Sequence, residues 1–162
     1  MMIGVMSDTH GVMAAIRRAV TATGVVDAWL HCGDYSQDAV FLAQLTGRKV
    51  TTVRGNCDGA VETRPDEYIS VGLVRIWLTH GHRFDVKGRE EELAWWAEQY
   101  EVHAVVYGHT HVARSSWHKD ILVFNPGSPS RPRAGTPSCG ILEIRSDGTI
   151  TPRHVTVPRT QK

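Results

Sequence analysis

Five short polar clusters constrain this chain most, because each one directly follows a predicted strand. They are Asp8-Thr9-His10, Gly33-Asp34, Gly55-Asn56-Cys57-Asp58, His80-Gly81-His82 and Gly108-His109-Thr110-His111. In α/β proteins, ligands bind outside the carboxyl ends of the strands, so one edge of the fold would collect all five clusters. The sequence therefore predicts one polar site assembled from five loops.

Strand and helix patterns alternate in the first third of the chain. Short apolar runs predict strands at 2–7, 28–31 and 49–53, and helices are predicted between them at about 12–23 and 36–47. Ser36 is the expected N-cap of the second helix, and Gly24 and Gly47 are the expected helix ends. This alternation predicts parallel strand pairing through right-handed crossovers.

The pattern changes after Arg64-Pro65. A hairpin around Gly72, a helix and four further strands are predicted, with ranges 68–71, 73–79, 90–100, 104–107, 121–124, 139–145 and 149–157. Parallel strands early in the chain and antiparallel strands late predict two packed sheets with helices outside. A length of 162 residues fits a single domain spanning 1–162.

Composition and charge exclude several classes of protein. The chain is 41% hydrophobic with a net charge of +1, which is incompatible with disorder and argues against bulk binding of nucleic acid or anionic membrane. The charge is uneven, because residues 1–110 hold 10 Lys and Arg against 14 Asp and Glu, whereas residues 111–162 hold 8 against 3.

The expected compartment is the cytoplasm. No apolar run approaches the ~18–20 residues of a membrane span, and the first residues lack the basic segment and cleavage site of a signal peptide. The cysteines, Cys32, Cys57 and Cys139, are odd in number and form no Cys-x-x-Cys pair, which favours reduced thiols.

Taken together, the five clusters predict a metal site. In extended chain, residues i and i+2 point to the same side, so Asp8 and His10, and likewise His109 and His111, can face one centre. Seven candidate ligands exceed what one zinc-type ion uses and would serve two ions sharing one carboxylate. Imidazole, carboxylate and amide ligands without thiolates suit Mn²⁺, Fe²⁺, Zn²⁺, Ni²⁺ or Co²⁺ better than Ca²⁺. Paired ions of this kind carry out phosphoryl chemistry.

The ordered set of five motifs resembles the calcineurin-like metallophosphoesterase superfamily. The small size, the Gly-Asn-Cys-Asp variant and Asn125-Pro126-Gly127-Ser128 are similar to its compact bacterial and archaeal phosphodiesterase branch. The resemblance runs from residue 6 to about residue 133. It implies an α/β fold, a four-layer α/β-β/α sandwich of two mixed sheets with flanking helices, and a hydrolase that cleaves small phosphate diesters.

The resemblance also implies roles for individual residues. The first metal would be held by Asp8, His10 and His111, and the second by Asn56, His80 and His109, with Asp34 bridging the two. Mn²⁺ is the expected ion at both positions, with Ni²⁺, Co²⁺, Fe²⁺ and Zn²⁺ as alternatives. A bridging hydroxide would attack phosphorus, and the catalytic residues would be Asp34, Asn56, Cys57 and Asp58.

Cys57 departs from the wider superfamily, in which many members carry a histidine that assists the leaving group. A thiol is a weak donor, so the sequence suggests a preference for diesters or activated esters; a small packed residue is the alternative interpretation. Four other residues have two interpretations each, a function at the site or an ordinary surface or packing function. The site functions are phosphate contacts by Arg131 and Arg133, support of a metal-binding histidine by Ser128, and orientation of a ligand by His82.

Two other functions compete with the phosphodiesterase. The superfamily contains a retromer scaffold subunit that has lost ligand residues and binds proteins, whereas every matching position here holds a competent ligand. It also contains nucleases, which usually carry additional polymer-binding domains for which this chain has no room. The sequence leaves the physiological substrate and the oligomeric state open.

Overall fold

The computed structural model describes residues 1–84, 86 and 89–159, and its elements follow the predicted order closely. The strands and helices are β1 (Met2–Met6), α1 (Met13–Thr23), β2 (Ala28–His31), α2 (Asp38–Thr46), β3 (Val50–Thr52), β4 (Asp66–Val71), β5 (Val74–Thr79), α3 (Glu90–Gln99), β6 (Ala104–Val106), β7 (Ala113–His118), β8 (Ile121–Pro126), β9 (Ser138–Ile144) and β10 (Ile150–Thr156). No helix in these residues combines the length and apolar character needed to cross a membrane.

The first sheet has the strand order β10-β9-β1-β2-β3. β1, β2 and β3 pair in parallel, while β9 lies antiparallel beside β1 and pairs with β10. Helices α1 and α2 cover its outer face, where Ile16 and Leu42 pack with Trp29. The late antiparallel hairpin thus completes the early parallel sheet instead of forming a separate one.

The second sheet has the strand order β4-β5-β6-β8-β7. Its central strands β5, β6 and β8 are parallel, and β4 and β7 are antiparallel edges. Helix α3 packs on its outer face through Leu93 and Ala97. Each sheet thus mixes parallel and antiparallel pairing, which confirms the predicted pair of mixed sheets.

The apolar core lies between the two sheets. Ile3 and Leu30 from the first sheet meet Ile76, Val106 and Phe124 from the second in one buried cluster. Burying both inner faces in this way is the main stabilisation available to such a fold. The arrangement of helix, sheet, sheet and helix confirms the predicted four-layer α/β sandwich.

Two local predictions were wrong. Strand β7 was not predicted, because most of its side chains are exposed at the edge of the sheet and give no alternating apolar signal. Ser36 is not the N-cap of α2, which begins at Asp38 after Gln37. The Ser36 backbone N–H donates instead to Asp58 Oδ1 at 2.5 Å, which ties the loop after β2 to the loop after β3.

Candidate metal centre

The carboxyl ends of strands from both sheets bring four predicted ligands into one cluster. One ligand atom from each of Asp8, His10, Asp34 and His111 lies within 4.8 Å of the others. All four residues have left-handed φ angles, of 54°, 50°, 54° and 57° respectively. L-residues with side chains rarely adopt this conformation, so the surrounding structure must hold each loop in place.

The two carboxylate oxygens of Asp8 differ in their hydrogen bonding. Its Oδ2 accepts hydrogen bonds from Ser7 Oγ at 2.7 Å and from the His109 backbone N–H at 3.1 Å. Its Oδ1 is buried and has no hydrogen-bond partner among the described residues. A buried carboxylate oxygen without a donor is uncommon, and one that faces two imidazoles is suited to bind a cation.

His80 and His111 are oriented in the same way. The Nδ1 atom of each lies 2.7 Å from a backbone carbonyl, that of Cys32 for His80 and that of Arg131 for His111. The Nε2 atoms therefore face the site, at 3.9 Å and 3.3 Å from Asp8 Oδ1 respectively. Fixing one ring nitrogen on a carbonyl is how proteins orient a metal-binding histidine.

The acidic and basic side chains of the site shift one another's pKa values. Burial disfavours the charged form of His80 and His111, but Asp34 beside His80 and Asp8 beside both raise the pKa of each imidazole. Burial also lowers the pKa of His10, whose Nε2 is 3.2 Å from His111 Nε2. The pKa of Asp34 is lowered, because hydrogen bonds from His80 and Cys57 outweigh its burial.

The other predicted ligands adjoin this cluster. Asn56 Oδ1 lies 3.1 Å from His80 Nε2, and the rings of His80 and His109 are 5.3 Å apart. A cleft of about 390 Å³ lies above them, and the residues lining it are His10, Asp34, Asn56, Cys57, His109, His111, Arg131 and Arg133. All seven sequence-predicted ligands are therefore grouped at or just beneath one cleft.

Two glycines allow the loops to approach this closely. A Cβ on Gly55 would lie 2.2 Å from Asp34 Oδ1, and one on Gly108 would lie 1.9 Å from Ser7 Oγ and 2.8 Å from Asp8 Oδ2. Neither neighbour can move freely, because both carboxylates are hydrogen-bonded. Glycine is thus required at both positions by contacts with the site itself.

Asp58 lies beside the site, and both of its carboxylate oxygens accept hydrogen bonds from backbone N–H groups. Its two oxygens accept hydrogen bonds from Ser36 N at 2.5 Å and from Gly55 N at 2.6 Å. These hydrogen bonds make Asp58 a support for the loop that carries Asn56, and its catalytic function stays a prediction.

Cys57 is exposed, and its backbone N–H donates to Asp34 Oδ1 at 2.9 Å. Partial burial and the neighbouring Asp34 raise the pKa of its thiol to about 11, so it is protonated at neutral pH.

The remaining candidates also surround the site. His82 is half-buried, with its ring 5.3 Å from that of His80, and burial lowers its pKa. Ser128 Oγ donates to the Asp8 carbonyl at 2.8 Å and accepts from Arg131 N at 2.9 Å, and it forms no hydrogen bond to a histidine in the described part of the chain. Because the Arg131 carbonyl accepts from His111, Ser128 supports that histidine through the loop between them.

The sequence does not reveal the supporting function of two residues. Ser7 holds Asp8 Oδ2, and Asn125 donates to the Gly108 carbonyl at 2.9 Å, which fixes the loop carrying His109 and His111. Ser7 directly precedes the first polar cluster and Asn125 begins the Asn125-Pro126-Gly127-Ser128 segment, but a Ser or Asn at a strand end gives no signal of its partner. Their contacts are long-range and become visible only in the fold.

Comparisons with known proteins point to one family. The family profile described as the calcineurin-like phosphoesterase superfamily domain matches residues 1–147. Phosphodiesterase MJ0936 of Methanocaldococcus jannaschii is 32% identical over 160 residues, covering 88% of this chain and 93% of the relative.

Solved structures share the fold. The structure of a conserved protein from Streptococcus pneumoniae, described as a predicted phosphoesterase, has a TM-score of 0.75 at 27% identity and covers 96% of this chain and 97% of its own. Vps29 of Entamoeba histolytica, solved with Zn²⁺, has a TM-score of 0.74 at 24% identity and covers 96% and 99%. This second likeness shows the fold alone. The matched profile and the relatives confirm the predicted enzyme class, a phosphoesterase, and the chain belongs to the calcineurin-like phosphoesterase superfamily.

Proposed function

We propose that this protein is a metal-dependent phosphodiesterase that hydrolyses small phosphate diesters with two divalent ions, within one cytoplasmic domain. The observation that carries the proposal is the buried Asp8 Oδ1, which has no hydrogen-bond donor among the residues that the structure describes and faces the Nε2 atoms of two histidines anchored on carbonyls. A carboxylate and imidazoles in this arrangement fit divalent cations such as Mn²⁺, with Ni²⁺, Co²⁺, Fe²⁺ and Zn²⁺ as alternatives.

The ligands divide into two groups with Asp34 between them. One group consists of Asp8, His10 and His111, and the other of Asn56, His80 and His109. Asp34 Oδ1 lies 3.3 Å from His80 Nε2 in the second group, and Asp34 Oδ2 lies 3.8 Å from His10 Nε2 in the first. Because its two oxygens face different groups, Asp34 is the residue suited to bridge two ions.

Divalent ions at this site would generate a water-derived nucleophile at neutral pH and stabilise charge on the phosphoryl oxygens. The chain's own residues then hold the substrate. Arg131 and Arg133 line the cleft, where their guanidinium groups would pair with a phosphate oxygen and orient the ester. Asp58 keeps the Asn56 loop in position throughout.

The preference for small diesters follows from the cleft and from Cys57. A cleft of about 390 Å³ accommodates a small ester, and a net charge of +1 offers little to a long polyanion. A protonated thiol with a pKa of about 11 is a poor proton donor to a leaving group. The substrate must therefore bring a leaving group that departs without strong general-acid help.

The test is a substrate panel at fixed Mn²⁺. We expect turnover of bis(p-nitrophenyl) phosphate by the wild type and a loss of about 10³-fold or more in Asp34→Ala. Asp147→Ala serves as the matched control, because Asp147 lies on an exposed turn between β9 and β10. Equal activity of wild type and Asp34→Ala would refute the mechanism. Mn²⁺ binding without turnover of any ester would instead support a protein-binding scaffold.

A further inference from the structure

A chain of buried polar side chains lies directly beneath the loop that carries Asp8 and His10. Thr9 is in that loop, His31 ends β2 and Asp38 begins α2, and all three are buried. The Thr9 hydroxyl oxygen is 2.9 Å from His31 Nε2 and 2.6 Å from Asp38 Oδ2. Asp38 Oδ2 also accepts from the Gly11 backbone N–H at 2.9 Å, so the network is hydrogen-bonded to the loop at both Thr9 and Gly11.

The direction of each hydrogen bond in this network follows from its chemistry. The Thr9 hydroxyl donates its single proton to Asp38 Oδ2, so the Thr9 oxygen can only accept in its contact with His31, from Nε2–H. His31 Nδ1 is then an acceptor, and it faces the Gly33 backbone N–H at 3.3 Å and the Thr52 hydroxyl at 3.4 Å. Each donor of the network thus faces an acceptor, and the Thr52 hydroxyl faces a second one, the Val53 carbonyl at 3.4 Å.

The loop needs such support because of its backbone. Asp8 and His10, on either side of Thr9, both have left-handed φ angles, of 54° and 50°. This conformation is unfavourable for residues with side chains and persists only when neighbouring contacts enforce it. Among the described residues, the Thr9 side chain is hydrogen-bonded both to β2, through His31, and to α2, through Asp38, and these two contacts hold the turn.

We propose that Thr9, Asp38 and His31 are positioning residues that hold the Asp8-Thr9-His10 loop in its metal-binding geometry and thereby raise the affinity of the first metal position. The inference rests on the proposed function, since it takes Asp8 and His10 as ligands. None of the three side chains would itself touch the metal or the substrate.

The decisive pair of variants is Thr9→Val and Thr9→Ser. Valine keeps the shape of threonine but removes the hydroxyl, which leaves Asp38 and His31 without their shared partner; serine keeps the hydroxyl. We expect Thr9→Val to weaken Mn²⁺ binding by about tenfold or more in isothermal titration calorimetry and to change the visible absorption of bound Co²⁺. Thr9→Ser should restore both readouts to near wild-type values.

Thr79→Val is the matched control. Thr79 is also a buried threonine at a strand end, directly before the predicted ligand His80, but its hydroxyl has no hydrogen-bond partner in the described part of the chain. The same isosteric change should therefore leave Mn²⁺ affinity and the Co²⁺ spectrum unchanged. A loss in Thr79→Val as large as that in Thr9→Val would overturn the proposal, because burial alone would then explain the effect.

The remaining outcomes also decide the question. Thr9→Val that binds Mn²⁺ as tightly as wild type overturns the inference while leaving the proposed function intact. A wild type that binds no divalent ion overturns both. If near-ultraviolet circular dichroism shows that Thr9→Val is unfolded, Asp38→Asn takes its place: it keeps an acceptor oxygen but loses the charge, and unchanged affinity in that variant contradicts the proposal.

Discussion

The two groups of candidate ligands differ in how firmly the fold holds them. The first half of the site consists of Asp8, His10 and His111, and the second half of Asn56, His80 and His109. Asp8 and His111 in the first half are buried and hydrogen-bonded to residues of other loops. In the second half His80 is equally buried, but Asn56 is exposed on the turn after β3 and His109 is half-buried. The first half is therefore built into the fold, whereas the second is completed by a surface turn.

This difference has a consequence for assembly of the site. The ligand atoms of the first half already lie within 4.8 Å of one another, so little rearrangement is needed to bind an ion. The second half depends on Asn56, whose turn is held by Asp58 through two backbone hydrogen bonds. We expect the first position to bind its ion more tightly than the second.

Removing one ligand from each half gives the largest expected contrast. His111→Ala should lower kcat/KM by about 10³-fold and abolish tight Mn²⁺ binding, because the built-in half loses a fixed ligand. Asn56→Ala should lower kcat/KM by about 10²-fold and leave one ion bound. Turnover of bis(p-nitrophenyl) phosphate and calorimetric stoichiometry measure both effects. Equal losses and equal stoichiometry in the two variants would contradict the comparison.

Binding of Mn²⁺ should stabilise the folded protein. At a concentration one hundred times its Kd, an ion that binds only the folded state adds about 2.7 kcal/mol to the free energy of unfolding. For a chain of this size that corresponds to a rise in Tm of roughly 5–10 °C. Differential scanning fluorimetry with and without a chelator measures it. The rise should disappear in His111→Ala and persist in part in Asn56→Ala, and any other order would refute the assignment of the tighter position.

Arg131 and Arg133 at the rim should have a smaller effect. Both are exposed, so each would pair with a substrate phosphate in a high-dielectric environment. Replacing either with alanine should raise KM for a diester by about fivefold or less, with kcat unchanged and the effect reduced by salt. Arg145→Ala is the control, since Arg145 is also exposed but pairs with Glu143 away from the cleft. A fall in kcat would show that the arginine acts on the transition state.

Cys57 gives the smallest expected effect. Because its thiol is protonated and only a weak donor, Cys57→Ala should retain most of the turnover of an aryl diester at saturating Mn²⁺. The turn itself is held by the Cys57 backbone N–H, which the substitution keeps. Complete loss of activity in this variant would contradict the idea that the substrate needs little help from a proton donor.

The sequence was sufficient to predict that these candidate ligands lie together but not the contacts that hold them. Asp8, His10, Asp34 and His111 could be grouped in advance because each follows a buried strand, and strand ends meet at one edge. The sheet that β9 and β10 join, the edge strand β7 and the supporting position of Asp58 could not be predicted. Those depend on pairing between segments far apart in the chain, which local apolar patterns do not encode.

The Thr9 network illustrates the same limit. Asp38 lies in the first turn of α2, where an acidic residue is ordinarily explained by the helix dipole alone. Its contact with Thr9 spans 29 residues and that of Thr9 with His31 spans 22. Nothing in the local sequence distinguishes such a pairing from a solvated polar side chain.

The position of β1 affects when the site can form during synthesis. β1 carries the Asp8 loop at its end and lies between β2 and β9, so one of its two neighbours is residues 138–144. A nascent chain shorter than this leaves one edge of β1 unpaired, and Ser128, which holds the Asp8 carbonyl, also comes late. Asp8 therefore obtains support from a residue translated 120 positions later, and β1 gains its second neighbour only once residues 138–144 have been made, so the site cannot be complete before that point.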